Sequence, residues 1–506
     1  LNRDLGKEPV VDLSASTLGA ISSRVAVPNY ERARVGHGIV HIGVGAFNRS
    51  HLAVYLDELL QSGRASRWGE CGIGLLPPDE RLHEALLSQN CLYGLMTCGG
   101  AETSLRIVGS LIEHLYGPKQ TEAALERMSS PECTIVSLTV TEGGYFVENG
   151  SKRFKASDAN ILHDLQFRSQ PTTFLGYLAE AAHRRCARGI GPFTVLSCDN
   201  LEKNGDTART ALLAFSEMRD PKLRRWIDAN VSFPNSMVDR ITPGTTDENR
   251  QSILEAYGIR DQCPVVAEPF CQWVLEDNFI NDRPAFEDVG AIFTSDVSAF
   301  EKIKMRLLNG GHSAIAYLAA LLGIDYVCDA MADNQLEAVL GQFLDETSQV
   351  LHDVPGLDIN SYKKTIVERF ANPFIRDSIM RIASEGTAKL AKFIVPAIHE
   401  HLASGSRARF LPLTLAAWLC AMLGNDELGR PISIRDSAGS GLTEFIRNGG
   451  SNARIALSSI PGFGELAGSD NPVAARVDYY LQSLRTSGVR PTLDFALSGR
   501  PFAFEA

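Results

Sequence analysis

Gly38-Ile-Val-His-Ile42 is apolar apart from His41, a turn carrying Gly43 and Gly45 follows it, and Leu52 to Gln61 then reads as a helix. A strand without polar alternation belongs inside a sheet covered on both faces, which points to a parallel sheet flanked by helices. Strand, glycine turn and helix in this order form a dinucleotide-binding opening, where backbone N–H groups at the helix start meet a pyrophosphate. Gly43, Gly45, Ala46 and Phe47 are the candidate cofactor contacts. The third glycine of G-x-G-x-x-G is missing, because Asn48 stands there. Short glycine turns after strands are common, so the turn alone leaves a plain structural reading open.

The following segments repeat the design. Cys71-Gly-Ile-Gly-Leu-Leu76 reads as a second strand with Asp79 just past it. A carboxylate there suits a ribose 2′-hydroxyl and favours NAD over NADP, although Asp79 could equally cap a helix over Glu80–Gln89. Leu105–Ile112 reads as a strand and Gln120–Met128 as a helix. Cys133-Thr-Ile-Val-Ser-Leu-Thr-Val-Thr141 is a β-branched run that reads as a buried strand. Thr141 and Glu142 stand at its carboxyl end, where ligands of parallel sheets lie. A helix is expected over 171–188. Pro192-Phe-Thr-Val-Leu-Ser-Cys-Asp-Asn200 is again an apolar strand with a polar tip. Asn200 is a hydrogen-bond donor at that tip or a plain turn residue. Asp239-Arg240 is part of a site wall or a surface ion pair. Further strands are expected in Pro264–Phe270 and Gln272–Glu276. The alternation to about residue 295 indicates a Rossmann-like, doubly wound α/β domain over residues 1–295.

After Glu301 helical stretches dominate, over 301–322, 334–350, 359–371, 373–384, 388–404, 412–423, 440–448 and 471–486. Residues 296–506 are therefore expected to form a mostly α-helical domain that carries substrate-binding and catalytic groups. Within its first helix, at about 100° per residue, Glu301, Lys304, Asn309 and His312 fall within roughly 140° of arc. Lys304 could act as a base if burial lowered its pKa, and Asn309 and His312 could hold an oxygen that changes charge. Gly310-Gly311 should interrupt that helix and signals close approach of a backbone or a ligand. The alternative is a solvated surface helix with a packed bystander histidine.

A net charge of −11 argues against generic nucleic-acid or anionic-membrane partners. No apolar run approaches the ~20 residues of a membrane span. The first thirty residues carry mixed charge and no signal-like core, and none of the 10 cysteines forms a C-x-x-C pair. Reduced thiols, no metal site and a cytoplasmic location are expected.

Taken together, Ile42-Gly-Val-Gly-Ala-Phe-Asn-Arg49, Ser137-Leu-Thr-Val-Thr-Glu-Gly-Gly-Tyr145, Ser197-Cys-Asp-Asn200, Phe233-Pro-Asn-Ser-Met-Val-Asp-Arg-Ile-Thr-Pro243, Glu268-Pro-Phe270, Lys304 with Asn309-Gly-Gly-His312, and Tyr362-Lys-Lys with Arg369-Phe resemble the polyol-specific long-chain dehydrogenases. That family includes mannitol 2-dehydrogenases and fructuronate reductases. The resemblance implies zinc-free, NAD(P)-dependent oxidation of a secondary alcohol. It also implies Lys304 as general base, Asn200 and Asn309 as the pair holding the reacting oxygen, and His312 and Asp239 as substrate-hydroxyl contacts. Arg381 and Lys389 resemble an outer substrate wall. Asn48, where members often have His, and Thr387-Ala388, in place of small serines, depart from the pattern.

The expected function is NAD-dependent interconversion of a polyol and its ketose, mannitol and fructose first, by a chain acting as a monomer. A hexuronate reductase would need a cation for the sugar carboxylate, from Arg376, Arg381, Lys389 or Lys392. A pentitol dehydrogenase and a non-catalytic NAD-dependent sugar sensor are the remaining alternatives.

Overall fold

The computed structural model describes residues 9–99, 102–148, 153–436, 452–460, 462–468 and 471–504. The chain divides into two compact units, Leu1–Ser298 and Ala299–Ala506.

The first unit is built on five parallel strands: β1 (Ile39–Ile42), β2 (Glu70–Gly74), β3 (Leu111–Tyr116), β4 (Ile135–Leu138) and β5 (Thr194–Ser197). Their order across the sheet is β3-β2-β1-β4-β5. This is the Rossmann arrangement, with the reversal of strand order between β1 and β4. Val40, Ile42, Ile73, Val136, Leu138 and Val195 pack into one apolar core with helices Phe174–Arg188 and Asn204–Arg219. Ile39, Ile135 and Leu196 face the other way, toward helix Leu52–Gln61 and Trp273. Two apolar faces explain why the strands read as continuous runs.

The expected strand over 105–112 is in fact two. Glu102–Val108 pairs antiparallel with Tyr93–Gly99 in a separate three-stranded sheet, and β3 begins at Leu111. Between them the Gly109 N–H donates to the buried carboxylate of Asp57 at 2.9 Å, which takes it out of any ladder. Tyr93–Gly99, which begins Tyr-Gly and ends in a glycine, was not anticipated because glycine weakens a strand signal.

In the second unit, helix Phe410–Ala421 is buried at all 12 positions. An all-round apolar helix of this length is a core helix. It packs against Gly310–Leu321 and Pro472–Thr486. Of the expected helix over 373–384 only Ile379–Ala383 is helical. Pro373 lacks an N–H, and the Asn372 side chain accepts from the Phe374 N–H at 3.1 Å, a local turn that competes with helix. The expected helix over 388–404 divides at Ile394, ahead of Pro396. The helix expected over 440–448 lies outside the described residues. Val327–Met331, Ala453–Ser459 and Val489–Leu497 are further helices. Among the described residues no helix is long and apolar enough to cross a membrane.

Candidate active site

In the first unit the candidate cofactor residues and Asn200 follow the carboxyl ends of the parallel strands, whereas Asp239 ends a strand of a separate three-stranded sheet. Gly43 follows β1 with φ +95°, and a Cβ there would lie 2.2 Å from the Thr139 carbonyl oxygen. Only glycine fits. Gly45 is extended and borders open space, so its value is the room it leaves beside helix Ala46–Ser50. Gly43, Gly45, Ala46 and Phe47 are partly exposed, whereas Asn48 is buried. The turn is braced from inside the sheet. The Thr139 hydroxyl donates to the Gly43 carbonyl at 2.7 Å, so its oxygen accepts from His41 Nε2 at 2.8 Å. His41 Nδ1 then accepts from the Ser137 hydroxyl at 2.8 Å. Burial pushes the His41 pKa down to about 3, so the ring is neutral.

Asp79 opens helix Asp79–Ser88 but does not cap it. Pro78 is the cap residue, and the Asp79 carboxylate accepts from the Leu76 N–H at 2.9 Å, closing the turn after β2. Thr141 and Glu142 are exposed beyond β4, and Thr141 has φ +63°. Asn200 is exposed one residue past the buried Asp199, beyond β5. Asp239 ends strand Ser236–Asp239 and is buried, as is Arg240, which removes the surface-pair alternative. Arg240 donates to the carbonyls of Glu268, at 2.8 and 3.0 Å, and of Ser50.

In the second unit Lys304 and Glu301 are 6% and 5% exposed, which excludes the solvated-helix reading. The expected regular helix differs at this point: Lys304–Asn309 is a π-helical segment between Ser298–Ile303 and Gly310–Leu321. Such insertions alter the turn and cluster at functional sites, so the 100° spacing does not carry through from Glu301 to His312. Gly310-Gly311 does not interrupt the helix. Each added Cβ would lie 3.1 Å from Phe343 or Leu340 of helix Asn334–Ser348, so the close neighbour is a packed helix. The Asn309 amide is 3.2 Å from Met305 Sδ. The His312 ring lies on the Phe370 ring. Arg381 pairs with Asp377 through its Nε at 2.8 Å. Lys389 Nζ donates to the Ile382 carbonyl at 2.9 Å, and burial, aided by Arg381, lowers its pKa.

Two features escaped sequence reasoning. Glu70, the first residue of β2, is fully buried with both carboxylate oxygens unpartnered, and burial raises its pKa to about 8 despite the neighbouring Asn48 amide. Nothing in a one-dimensional pattern marks a strand glutamate as buried. Asp199 bonds to the neighbouring turn, and its place in a polar strand tip was the available signal.

Two family descriptions match the chain, the mannitol dehydrogenase Rossmann domain over residues 37–288 and the mannitol dehydrogenase C-terminal domain over 296–484. The chain belongs to the mannitol dehydrogenase family. It is the family that the glycine turn, Ser197–Asn200 and the Lys304–His312 motif resembled. A mannitol 2-dehydrogenase of Aspergillus terreus is 39% identical over 486 residues, covering 95% of this chain and 97% of the relative. Mannitol dehydrogenase 2 of Saccharomyces cerevisiae is 39% identical over 479 residues, 94% of this chain and 95% of its own. Among solved structures, the ternary complex of Pseudomonas fluorescens mannitol 2-dehydrogenase with NAD and D-mannitol aligns with TM-score 0.84 and 39% identity, covering 97% of this chain and all (100%) of that one. A substrate-free D-sorbitol dehydrogenase aligns with TM-score 0.89 and 33% identity, covering 95% and 100%.

Proposed function

We propose that the chain is an NAD-dependent, metal-independent polyol dehydrogenase that interconverts D-mannitol and D-fructose. The observation that carries this reading is full-length similarity, at 39% identity, to an enzyme solved with NAD and D-mannitol. The residues present suit the cofactor: Gly43 lets the chain turn tightly after β1, Gly45 leaves room for a pyrophosphate, and Asp79 supplies a carboxylate past β2 for ribose hydroxyls. NAD, when bound, takes the hydride. Residues 1–295 are assigned the cofactor, with Ala46, Phe47, Thr141 and Glu142 as further contacts, and 296–506 the substrate.

Lys304 takes the proton of the alcohol. Lys304 is buried, and a positioned amine within reach of the hydroxyl suits general-base work. The amides of Asn309 and Asn200 are assigned to the oxygen as it gains charge, where donors fixed in advance lower the barrier. His312 and Asp239 are assigned to substrate hydroxyls, and Arg381 and Lys389 to the outer wall. Arg381 already pairs with Asp377, and Lys389 already donates to a carbonyl. A hexuronate carboxylate would meet these two cations with part of their donor capacity already used.

The test is a panel of D-mannitol, D-sorbitol, D-arabinitol, D-fructose and a hexuronate, followed at the absorbance of reduced nicotinamide. Turnover greatest with mannitol and fructose is expected. Preference for the hexuronate refutes the substrate reading, and NADH binding with no turnover across the panel favours a sensor. A monomer in the cytoplasm completes the proposal, and light scattering of the purified protein tests its mass.

A further inference from the structure

Asp199 is 7% exposed and stands between Cys198 and Asn200, just beyond β5. Its carboxylate reaches across to the helical turn Thr141–Gly144 beyond β4. One oxygen accepts from the Thr141 N–H at 2.8 Å, and the other from the Val140 N–H at 3.0 Å and the Tyr145 hydroxyl at 2.6 Å. The Tyr145 hydroxyl also lies 2.7 Å from the Ser197 hydroxyl. On its own side Asp199 is fixed as well. Its carbonyl accepts from the Asn204 amide at 3.0 Å and the Leu201 N–H at 2.9 Å. Burial raises the carboxyl pKa, and the three donors oppose that rise.

The turn that this carboxylate grips is strained. Thr141, a β-branched residue, sits at φ +63°, where side chains other than those of glycine and asparagine are rare. Such a conformation persists only when its surroundings hold it. Two of the bonds that hold it come from Asp199. Because the Val140 and Thr141 N–H groups are both committed to Asp199, contact with a ligand at this tip falls to side chains and to the residues that follow.

We infer that Asp199 is a positioning residue that locks the strand tip bearing Asn200 to the tip bearing Thr141 and Glu142. This rests on the assignment of the sheet edge to the cofactor. Asn200 and the helical turn that carries Thr141 and Glu142 are thereby set as one rigid edge. Removing the brace releases Thr141 toward ordinary φ values and shifts both tips together.

The test uses the full-length protein with Asp199→Asn and Tyr145→Phe. Asp199→Asn puts an amide donor against N–H donors. Tyr145→Phe removes one of the three bonds and leaves the carboxylate. NADH affinity is read by fluorescence titration at temperatures well below each melting point, with kcat and KM read separately. Asp199→Asn should weaken NADH binding about 10-fold or more and lower kcat, and Tyr145→Phe should do so by about 3-fold, in proportion to bonds lost. Wild-type NADH affinity and kcat in both variants, or losses that follow only the unfolded fraction, overturn the inference. If Asp199→Asn does not fold, Tyr145→Phe decides by the same two readings. NADH binding is independent of the substrate panel, so a wrong substrate assignment leaves this test intact.

Discussion

The imidazole of His312 lies flat on the ring of Phe370, with 3.9 Å between centroids and 7° between planes. Phe370 ends helix Ile359–Phe370 and is 2% exposed, so the ring is a fixed platform. Stacking of this kind contributes about 0.5–1.5 kcal/mol beyond area burial. Phe370→Leu keeps the apolar bulk and loses the flat face. KM for the polyol should rise by about 3–10-fold on that energy scale, with NADH affinity unchanged. Steady-state kinetics beside a fluorescence titration checks this, and an unaltered KM counts against a substrate role for His312.

Lys304→Ala should lower kcat for alcohol oxidation by about 10²–10⁴-fold, the worth of general-base catalysis. NADH binding should hold, since the cofactor is assigned to the first unit. Lys304→Met, similar in length and apolar, should fail equally, while added primary amines restore part of the rate in Lys304→Ala. The alkaline-rising limb of the wild-type pH profile should disappear in both variants. A retained limb with near-normal turnover would show that another group is the base.

NAD(H) should be preferred to NADP(H), because the Asp79 carboxylate repels a 2′-phosphate. Asp79→Ala should narrow the ratio of kcat/KM values. It should raise KM for NAD(H), because it removes the ribose-binding carboxylate and the 2.9 Å bond that closes the turn at Leu76, while relieving the repulsion of NADP(H). Equal or better kcat/KM with NADP(H) in the wild type refutes the preference.

Among the described residues no group of three or more His, Cys, Asp or Glu side chains could hold a metal ion. Prolonged dialysis against EDTA should leave turnover unchanged. Activity lost to the chelator and restored by zinc would overturn the lysine mechanism.

Glu70 gives a stability prediction with a defined sign. Its pKa is raised to about 8 in the folded chain and lies near ~4.3 in the unfolded one. The folded state therefore binds the extra proton between those values. The stability is fully present below about pH 4 and declines as pH rises through the folded pKa. Glu70→Gln, which is neutral throughout, should flatten the decline. Its Tm should exceed that of the wild type above pH 8, with the difference shrinking toward pH 5. Parallel Tm profiles for the two proteins would show that Glu70 is not the group responsible.

The parallel sheet was legible because β1, β4 and β5 are apolar on both faces and each ends in a polar or glycine tip. Local sequence also marked the glycine turn, since no other residue tolerates the φ of Gly43 and the contact with Thr139. The Lys304–His312 motif was legible as a set of residue types at fixed spacing. The tertiary structure decided what spacing could not. The π-helical turn at Lys304–Asn309 changes the angular relation between Glu301 and His312, and nothing in residue order announces it. The glycines at 310 and 311 were marked as unusual, yet only the neighbouring helix with Phe343 and Leu340 explains them. Asp79 was marked as a carboxylate past a strand, but its bond to the Leu76 N–H depends on how the turn closes. Burial of Glu70 and the bonds of Asp199 to Val140 and Thr141 join residues far apart in the chain. Local sequence records propensity and pattern, whereas a buried carboxylate's partners are set by which strands become neighbours.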